Sequence, residues 1–320
     1  MDLRIEPKRI GRAVLRNIRL KRALAEKKVR KRLGLKPILP YFEYHLADHC
    51  NLSCKGCGHF SPIREKQFAE FDEYRSDLSQ LKKLFSNVRN IELLGGEPLL
   101  HPRIADFLRL SRHFFPKAAI GISTNGILLP RMSEEFWNAC RSCSIYIVYT
   151  VYPPFRKTES AIVKLAKSKG VRIIANQVTP FHGFYNKAGD TNVESAFKKC
   201  RSRFYCPMLR NGRLYVCCIS CNIIAFNQHF DLNIPEDGFV NIYDDEITGW
   251  KIIERFDNPS PMCRFCTLGW DDVPTFQWKT SKGVLEDWDA LAIRANSSNK
   301  SKSIDENSAR QLVANSISLC

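Results

Sequence analysis

Five short β-branched or aromatic runs between Tyr41 and Asn176 alternate with segments of helical period, and this alternation restricts the fold more than any other feature of the chain. The runs are Tyr41–Leu46, Asn90–Leu94, Ala118–Thr124, Ile145–Val151 and Val171–Asn176. The spacers predict helices over about 72–85, where Leu78, Leu81, Leu84 and Phe85 share one side, and over 104–114, 134–143 and 160–168. Strand–helix–strand units of this length favour parallel strands with right-handed crossovers, and their functional residues sit on loops after the strand ends. The fold class expected is therefore α/β, an open or partial (β/α) barrel with one active face.

Three such loops carry chemistry. The first holds Cys50-Asn-Leu-Ser-Cys54-Lys-Gly-Cys57, the second Gly95-Gly96-Glu97-Pro98 and the third Ser123-Thr124-Asn125-Gly126. Thirteen cysteines in 320 residues, twelve of them clustered, point to metal binding in a reducing compartment rather than to disulfides. No apolar run approaches the roughly 18–20 residues of a membrane-spanning helix, and the basic N-terminus lacks the apolar core of a signal peptide. A cytoplasmic location is expected. Three thiolates in one loop can hold three corners of a 4Fe-4S cube and leave one iron open. A zinc site is the alternative, with His49 or His59 as fourth ligand.

The C-x-x-x-C-x-x-C loop after a first strand resembles the signature of the radical S-adenosylmethionine (radical SAM) superfamily. Leu94-Gly95-Gly96-Glu97-Pro98-Leu99 resembles its GGEP motif, and Ser123-Thr124-Asn125-Gly126 its segment after the third strand. The resemblance spans about residues 41–180. It implies a 4Fe-4S cluster on Cys50, Cys54 and Cys57, with S-adenosylmethionine contacted by Gly95, Gly96, Glu97, Pro98, Ser123 and Asn125. Glu97 is expected to meet the cofactor's ammonium and the glycines to let backbone approach it. The activity implied is reductive cleavage of S-adenosylmethionine to a 5′-deoxyadenosyl radical that abstracts hydrogen from a substrate. A reductant such as flavodoxin or ferredoxin is implied with it.

Some positions depart from that pattern. Gly56 stands where an aromatic residue commonly precedes the third cysteine, so His59 or Phe60 is expected near adenine. Thr150 is the candidate ribose contact on the fourth strand, and no Gly-x-Ile-x-Gly motif marks the fifth.

Residues 196–290 are rich in cysteine. Cys206, Cys217, Cys263 and Cys266, with Gly212 between the first two, resemble a SPASM or twitch auxiliary domain. The resemblance implies a second 4Fe-4S cluster, and a four-cysteine zinc site is the alternative. Cys200, Cys218 and Cys221 are surplus, able to replace a ligand or support a further cluster. Cys140 and Cys143 are expected to be buried thiols in a helix. His101 reads as a loop or capping residue, and Asp271 or His182 as a possible substrate-side base.

Charge is uneven. Residues 1–36 hold 14 Lys or Arg against three acids, +11 of the net +16. Apolar residues recur there at helical spacing between Lys8 and Leu33, which predicts a basic amphipathic helix able to meet an anionic membrane surface, nucleic acid or a protein partner. The expected organisation is a basic extension over 1–36, the core over 37–195, a cysteine-rich auxiliary domain over 196–290 and a disordered tail over 291–320. The function expected is hydrogen abstraction from an unidentified small molecule or glycan, with a nucleic-acid or peptide substrate, or a non-catalytic metal-binding protein, as alternatives.

Overall fold

The computed structural model describes residues 21–177, 180–203 and 205–298. A helix over 21–32 (α1) precedes β1 (Ile38–Ala47). Then come α2 (Phe71–Leu84), β2 (Asn87–Gly95), α3 (Ile104–Phe114), β3 (Ala119–Thr124), α4 (Glu134–Ser142), β4 (Ile145–Val151), α5 (Glu159–Ser168) and β5 (Arg172–Gln177). These five strands are parallel and lie side by side in chain order. The expected strands and helices all form, with ends shifted by no more than a few residues.

Alternation along β1 to β4 sorts their side chains between two largely buried faces, while β5 stands at the exposed edge. Phe42, Tyr44, Ile91, Leu93, Ile120, Ile122, Ile145 and Ile147 pack against Tyr74, Leu78, Phe107, Leu108, Phe136 and Trp137 of the helices. Tyr44 rests on Tyr74, ring centroids 4.2 Å apart. Each such side chain contributes about 1.5–3 kcal/mol by burial. Ser133 starts α4 by accepting a hydrogen bond from Phe136 N, and Glu134 and Glu135 complement the helix dipole. The opposite face holds an in-register polar row, Glu43, Glu92, Gly121 and Tyr146. Glu92 accepts from Ser123 Oγ at 2.7 Å and from Tyr146 OH at 2.9 Å. Gly121 makes room for this, because a Cβ there would lie 2.3 Å from Glu92 Oε2.

The second half continues with β6 (Phe181–His182), α6 (Val193–Arg203), β7 (Met208–Arg210), β8 (Arg213–Tyr215), α7 (Cys218–Phe230), β9 (Phe239–Asn241), α8 (Gly249–Phe256), β10 (Thr275–Phe276) and α9 (Ala290–Ser298). β7 pairs in parallel with β1, and β8 and β9 add antiparallel strands, so the main sheet runs β5-β4-β3-β2-β1-β7-β8-β9. β10 pairs antiparallel with β6.

The cysteine-rich region adds β7, β8 and β9 to the main sheet, while its β10 pairs with β6 in a separate two-stranded sheet, and position 195/196 falls inside α6. Helix α7 was not anticipated from its cysteines, yet Ile223 and Phe226 on it anchor a second core with Phe60, Tyr185 and Trp288. The supposed tail begins with α9. Residues 299–320, and positions 8–20 of the predicted basic helix, lie outside the described residues. No described helix is long and apolar enough to cross a membrane.

Candidate active site

The C-terminal ends of β1–β4 open on a cavity of about 280 Å³, closed on its other side by residues of the second half. Cys50, Cys54 and Cys57 line it from the loop after β1. Several donors aim at these sulfurs. Leu52 N lies 3.3 Å and Asn125 Nδ2 3.7 Å from Cys50 Sγ, and Trp278 Nε1 lies 3.1 Å from Cys54 Sγ. Burial pushes the Cys54 thiol up to about 12, with the neighbouring Cys57 adding to it. Cys50 rises too, from burial and then from Glu97. Such thiols ionise when a cationic centre shares the cavity.

The loop is fixed at its base. Asp48 accepts from Arg210 Nη1 at 2.8 Å and Nη2 at 2.7 Å, and also pairs with Arg64. Arg64 in turn donates to Asn222 of α7 at 2.8 Å. The two guanidinium groups hold the Asp48 carboxyl far below the usual carboxylate range, although burial opposes them. His45 stands 3.4 Å from Asp48 and 2.6 Å from His59, and burial lowers it to about 3. A neutral His45 therefore donates to Asp48 and accepts from His59, which lines the cavity.

The glycine motif builds the wall beside this loop. Gly95 and Gly96 line the cavity, and a Cβ on either would lie 2.2 Å from the carbonyl oxygen of Ala47 or His49. Their backbone packs on the base of the cysteine loop, with Gly96 N donating to Ala47 O at 2.7 Å. Glu97 is 0 % exposed and lies off the cavity wall. Its carboxylate accepts from Thr124 Oγ1 at 2.6 Å, Leu99 N at 3.0 Å and Asn125 N at 3.0 Å, and burial lifts it to about 7. Glu97 thus pins the end of β2 to the end of β3, behind the cavity wall. Pro98 opens a buried single turn behind it. Ser123, Asn125 and Thr150 do line the cavity. Phe60 does not. At φ 55° it turns into the second core, with its ring 4.4 Å from that of Phe226, which leaves His59 on the wall in its place.

The second cysteine group meets the same cavity. Cys206 precedes β7, Cys217 caps α7 and accepts from Ser220 N at 3.5 Å, and Cys263 lies within, and Cys266 just after, a short turn started by Ser260. All four line the wall, joined by Cys200 from α6 and Cys218 from α7. Cys221 faces away, toward Arg210 and Arg64, and burial raises it to about 12 against their charge. Cys140 and Cys143 are buried in the helix-side core, as expected. His101 turns the chain, with Nδ1 accepting from Arg103 N at 3.0 Å. His182 reaches the cavity, whereas Asp271 is exposed and pairs with Lys199.

Sequence reasoning passed over the segment that clasps the first loop. Lys55 N donates to Lys279 O, Ser281 N to Ser53 O and Trp288 Nε1 to Cys57 O, each at 2.8–2.9 Å. A lone Trp278 carried no signal at a sequence distance of 224 residues from Cys54.

The profile of the Radical SAM superfamily matches residues 44–149, the stretch from β1 to β4 that builds this wall. The chain carries a radical SAM domain. Residues 44–149 are accordingly a radical SAM domain, the kind that works with a 4Fe-4S cluster and S-adenosylmethionine. A GTP 3′,8-cyclase of Microcystis aeruginosa is 28% identical over 107 residues, 32% of this chain and 32% of that protein. Its counterpart in Chlorobaculum tepidum is 32% identical over 104 residues, 31% and 29% of the two chains. Molybdenum cofactor biosynthesis protein 1 of Bos taurus is 32% identical over 117 residues, 35% and 18%. The matched segment is thus about a third or less of these curated relatives. Among solved structures, BtrN in complex with AdoMet and 2-DOIA aligns with a TM-score of 0.44 at 16% identity, over 70% of this chain and 84% of that one. SuiB of Streptococcus suis bound to precursor peptide SuiA aligns with 0.38 at 21%, over 50% and 37%.

The residues present fit the radical SAM cofactors. Cys54, buried, and Cys50 and Cys57, half-buried, form one wall, with N–H donors directed at their sulfurs. A cube spreads its ligands more widely than a lone zinc does.

Proposed function

We propose that this radical SAM enzyme abstracts hydrogen from, and oxidises, a neutral polar small molecule such as an alcohol or sugar, with a second iron–sulfur cluster on the cysteine-rich wall. When bound, the cluster on Cys50, Cys54 and Cys57 and S-adenosylmethionine supply an electron and a 5′-deoxyadenosyl radical. The chain's own residues position the reactants and exclude water. Gly95, Gly96, Ser123, Asn125 and Thr150 are the proposed cofactor contacts, and Cys206, Cys217, Cys263 and Cys266 the proposed ligands of the second cluster. The observation that carries this reading is that both cysteine groups line one cavity, so a cluster on the second group would stand ready to take the substrate's remaining electron.

The lining also bears on the substrate. Arg201 is its only Lys, Arg, Asp or Glu among the described residues, and Asp257 pairs with it at 3.2 Å. A nucleoside triphosphate, which the GTP 3′,8-cyclase relatives would suggest, brings several negative charges that this wall leaves unanswered. Tyr152, Phe181, Gln177, His182 and Asn258 suit a neutral hydroxylated molecule instead.

The test is 5′-deoxyadenosine formation by anaerobically reconstituted protein with dithionite, beside the Cys50→Ala, Cys54→Ala, Cys57→Ala variant. Product from the parent protein alone is expected, and product from neither, with iron and sulfide bound, counts against radical chemistry. Consumption of GTP with no stimulation by any sugar or alcohol would replace the neutral substrate with a nucleotide.

A further inference from the structure

Helix α1 and the segment after it present an outward surface that the catalytic cavity does not use. The helix is held by its polar side. Glu26 pairs with Arg89, Lys27 with Asp257, and Arg30 donates to Ser86 Oγ at 2.6 Å and to Lys36 O at 2.9 Å. Trp250 Nε1 then fastens Leu35 O at 3.0 Å. These ties fix the rotation of the helix about its axis, and so decide which residues face solvent.

The outward residues are of two kinds. Lys21, Arg22, Lys28, Lys31, Arg32 and Lys36 are exposed, and Glu26, the one acid of 21–36, is turned inward and paired. Among them stand Leu24, Val29, Leu33 and Leu35, 50%, 55%, 64% and 45% exposed. An amphipathic helix ordinarily buries its aliphatic residues and shows its charges. Here charged groups anchor the helix and the aliphatics are left outside, interleaved with cations.

We propose that this surface docks on a lipid bilayer containing anionic phospholipid. Charge complementarity selects the anion, since residues 1–36 carry +11. The aliphatics select lipid over nucleic acid. Proteins that hold phosphodiester backbones add neutral polar donors to their cations and stack aromatic rings on bases. Residues 21–36 contain no Ser, Thr, Asn, Gln or aromatic residue at all. Leu24, Val29, Leu33 and Leu35 insert shallowly below the headgroups, and the long Lys and Arg stems reach the phosphates beside them. Docking would bring a membrane-derived or membrane-delivered substrate close to the enzyme.

The test is flotation of the full-length, cluster-loaded protein with vesicles of phosphatidylcholine alone or of phosphatidylcholine with 30% phosphatidylglycerol, at low and high salt. The expected result is binding to the anionic vesicles at low salt and little to the neutral ones. Arg22→Gln, Lys28→Gln, Arg32→Gln together weaken it on the order of a hundredfold, given the usual contribution of each cation near an anionic surface. Leu24→Ser, Val29→Ser, Leu33→Ser together weaken it as well, and make what remains fully reversible by salt. All six positions are exposed, so both variants keep the fold, which circular dichroism checks. Equal binding to both vesicle types, or binding unchanged in both variants, overturns the proposal. Retention of single-stranded RNA lost in the arginine and lysine variant, with no vesicle binding, overturns it in favour of nucleic acid.

Discussion

The parallel half of the molecule, β1 to β5, and the cysteine-rich half, α6 to α9, keep their shape by different means. In the first, strands of six to ten residues pair along most of their length and bury aliphatic rows under regular helices. In the second, the strands are two or three residues long and several of the helices are single turns. What holds the second half, besides the short pairing of β7 with β1, is a set of side-chain ties to the first: Arg210 on Asp48, Asn222 on Arg64, Asp77 on Gly212 and Tyr243, and Trp278 and Trp288 on the cysteine loop. Backbone pairing gives the first half a stable frame without any cofactor. The second half leans on that frame and on whatever its thiols bind.

Four experiments break or sharpen this contrast. The largest effect is expected from Cys263→Ala with Cys266→Ala. Bound iron should fall from about eight to about four per chain, with 5′-deoxyadenosine formation retained. Unchanged iron would make these thiols spectators. Next comes Arg210→Ala, which leaves the buried Asp48 half-paired. It should cost about 3 kcal/mol in urea unfolding, as the loss of one member of a buried ion cluster does. A cost near zero would mean Arg64 alone suffices.

Asp77 offers a pH-dependent tie. Burial outweighs its hydrogen bonds from Tyr243 and Gly212 and lifts it to about 6. Between its ordinary value and about 6 the folded protein holds a proton that the unfolded chain releases, so stability falls as pH rises through that window. The slope amounts to on the order of 2 kcal/mol across the window. Asp77→Asn should remove it, and a variant with the same slope would assign the titration to another group. The smallest effect is expected from Trp278→Phe, which removes the donor to Cys54 Sγ and about 1.5 kcal/mol of charge-assisted hydrogen bonding. The midpoint potential of the cluster, followed by electron paramagnetic resonance, should become more negative, because donors to sulfur favour the reduced state. An unmoved potential would leave Trp278 a purely structural clasp.

How much was legible follows the same divide. The strands of the first half could be read because their periods repeat every two residues and their helices every three or four, within windows the eye can scan. The cysteine loop, Gly95-Gly96 and Asn125 could be placed because each follows such a strand. Within those motifs, individual roles were not legible. Phe60 is next to the loop in sequence, yet its positive φ turns the ring into a core made by Phe226 and Trp288. Glu97 has the charge to bind an ammonium, yet nothing near it in the sequence shows that its carboxylate also accepts from Thr124 and Asn125 at the end of β3.

The sequence by itself determined the α/β class, the alternation of strands and helices, the three thiols on one loop and the second set of cysteines. Those features depend on residues a few positions apart, where backbone geometry dictates who meets whom. Only the tertiary structure decided that β7 joins β1, that Cys200 and Cys218 share the wall while Cys221 turns from it, and that Asp48 is clamped by Arg210 from 162 residues away. Such partners are chosen by sheet order and by the packing of many weak contacts at once, and no local pattern in the chain encodes that choice.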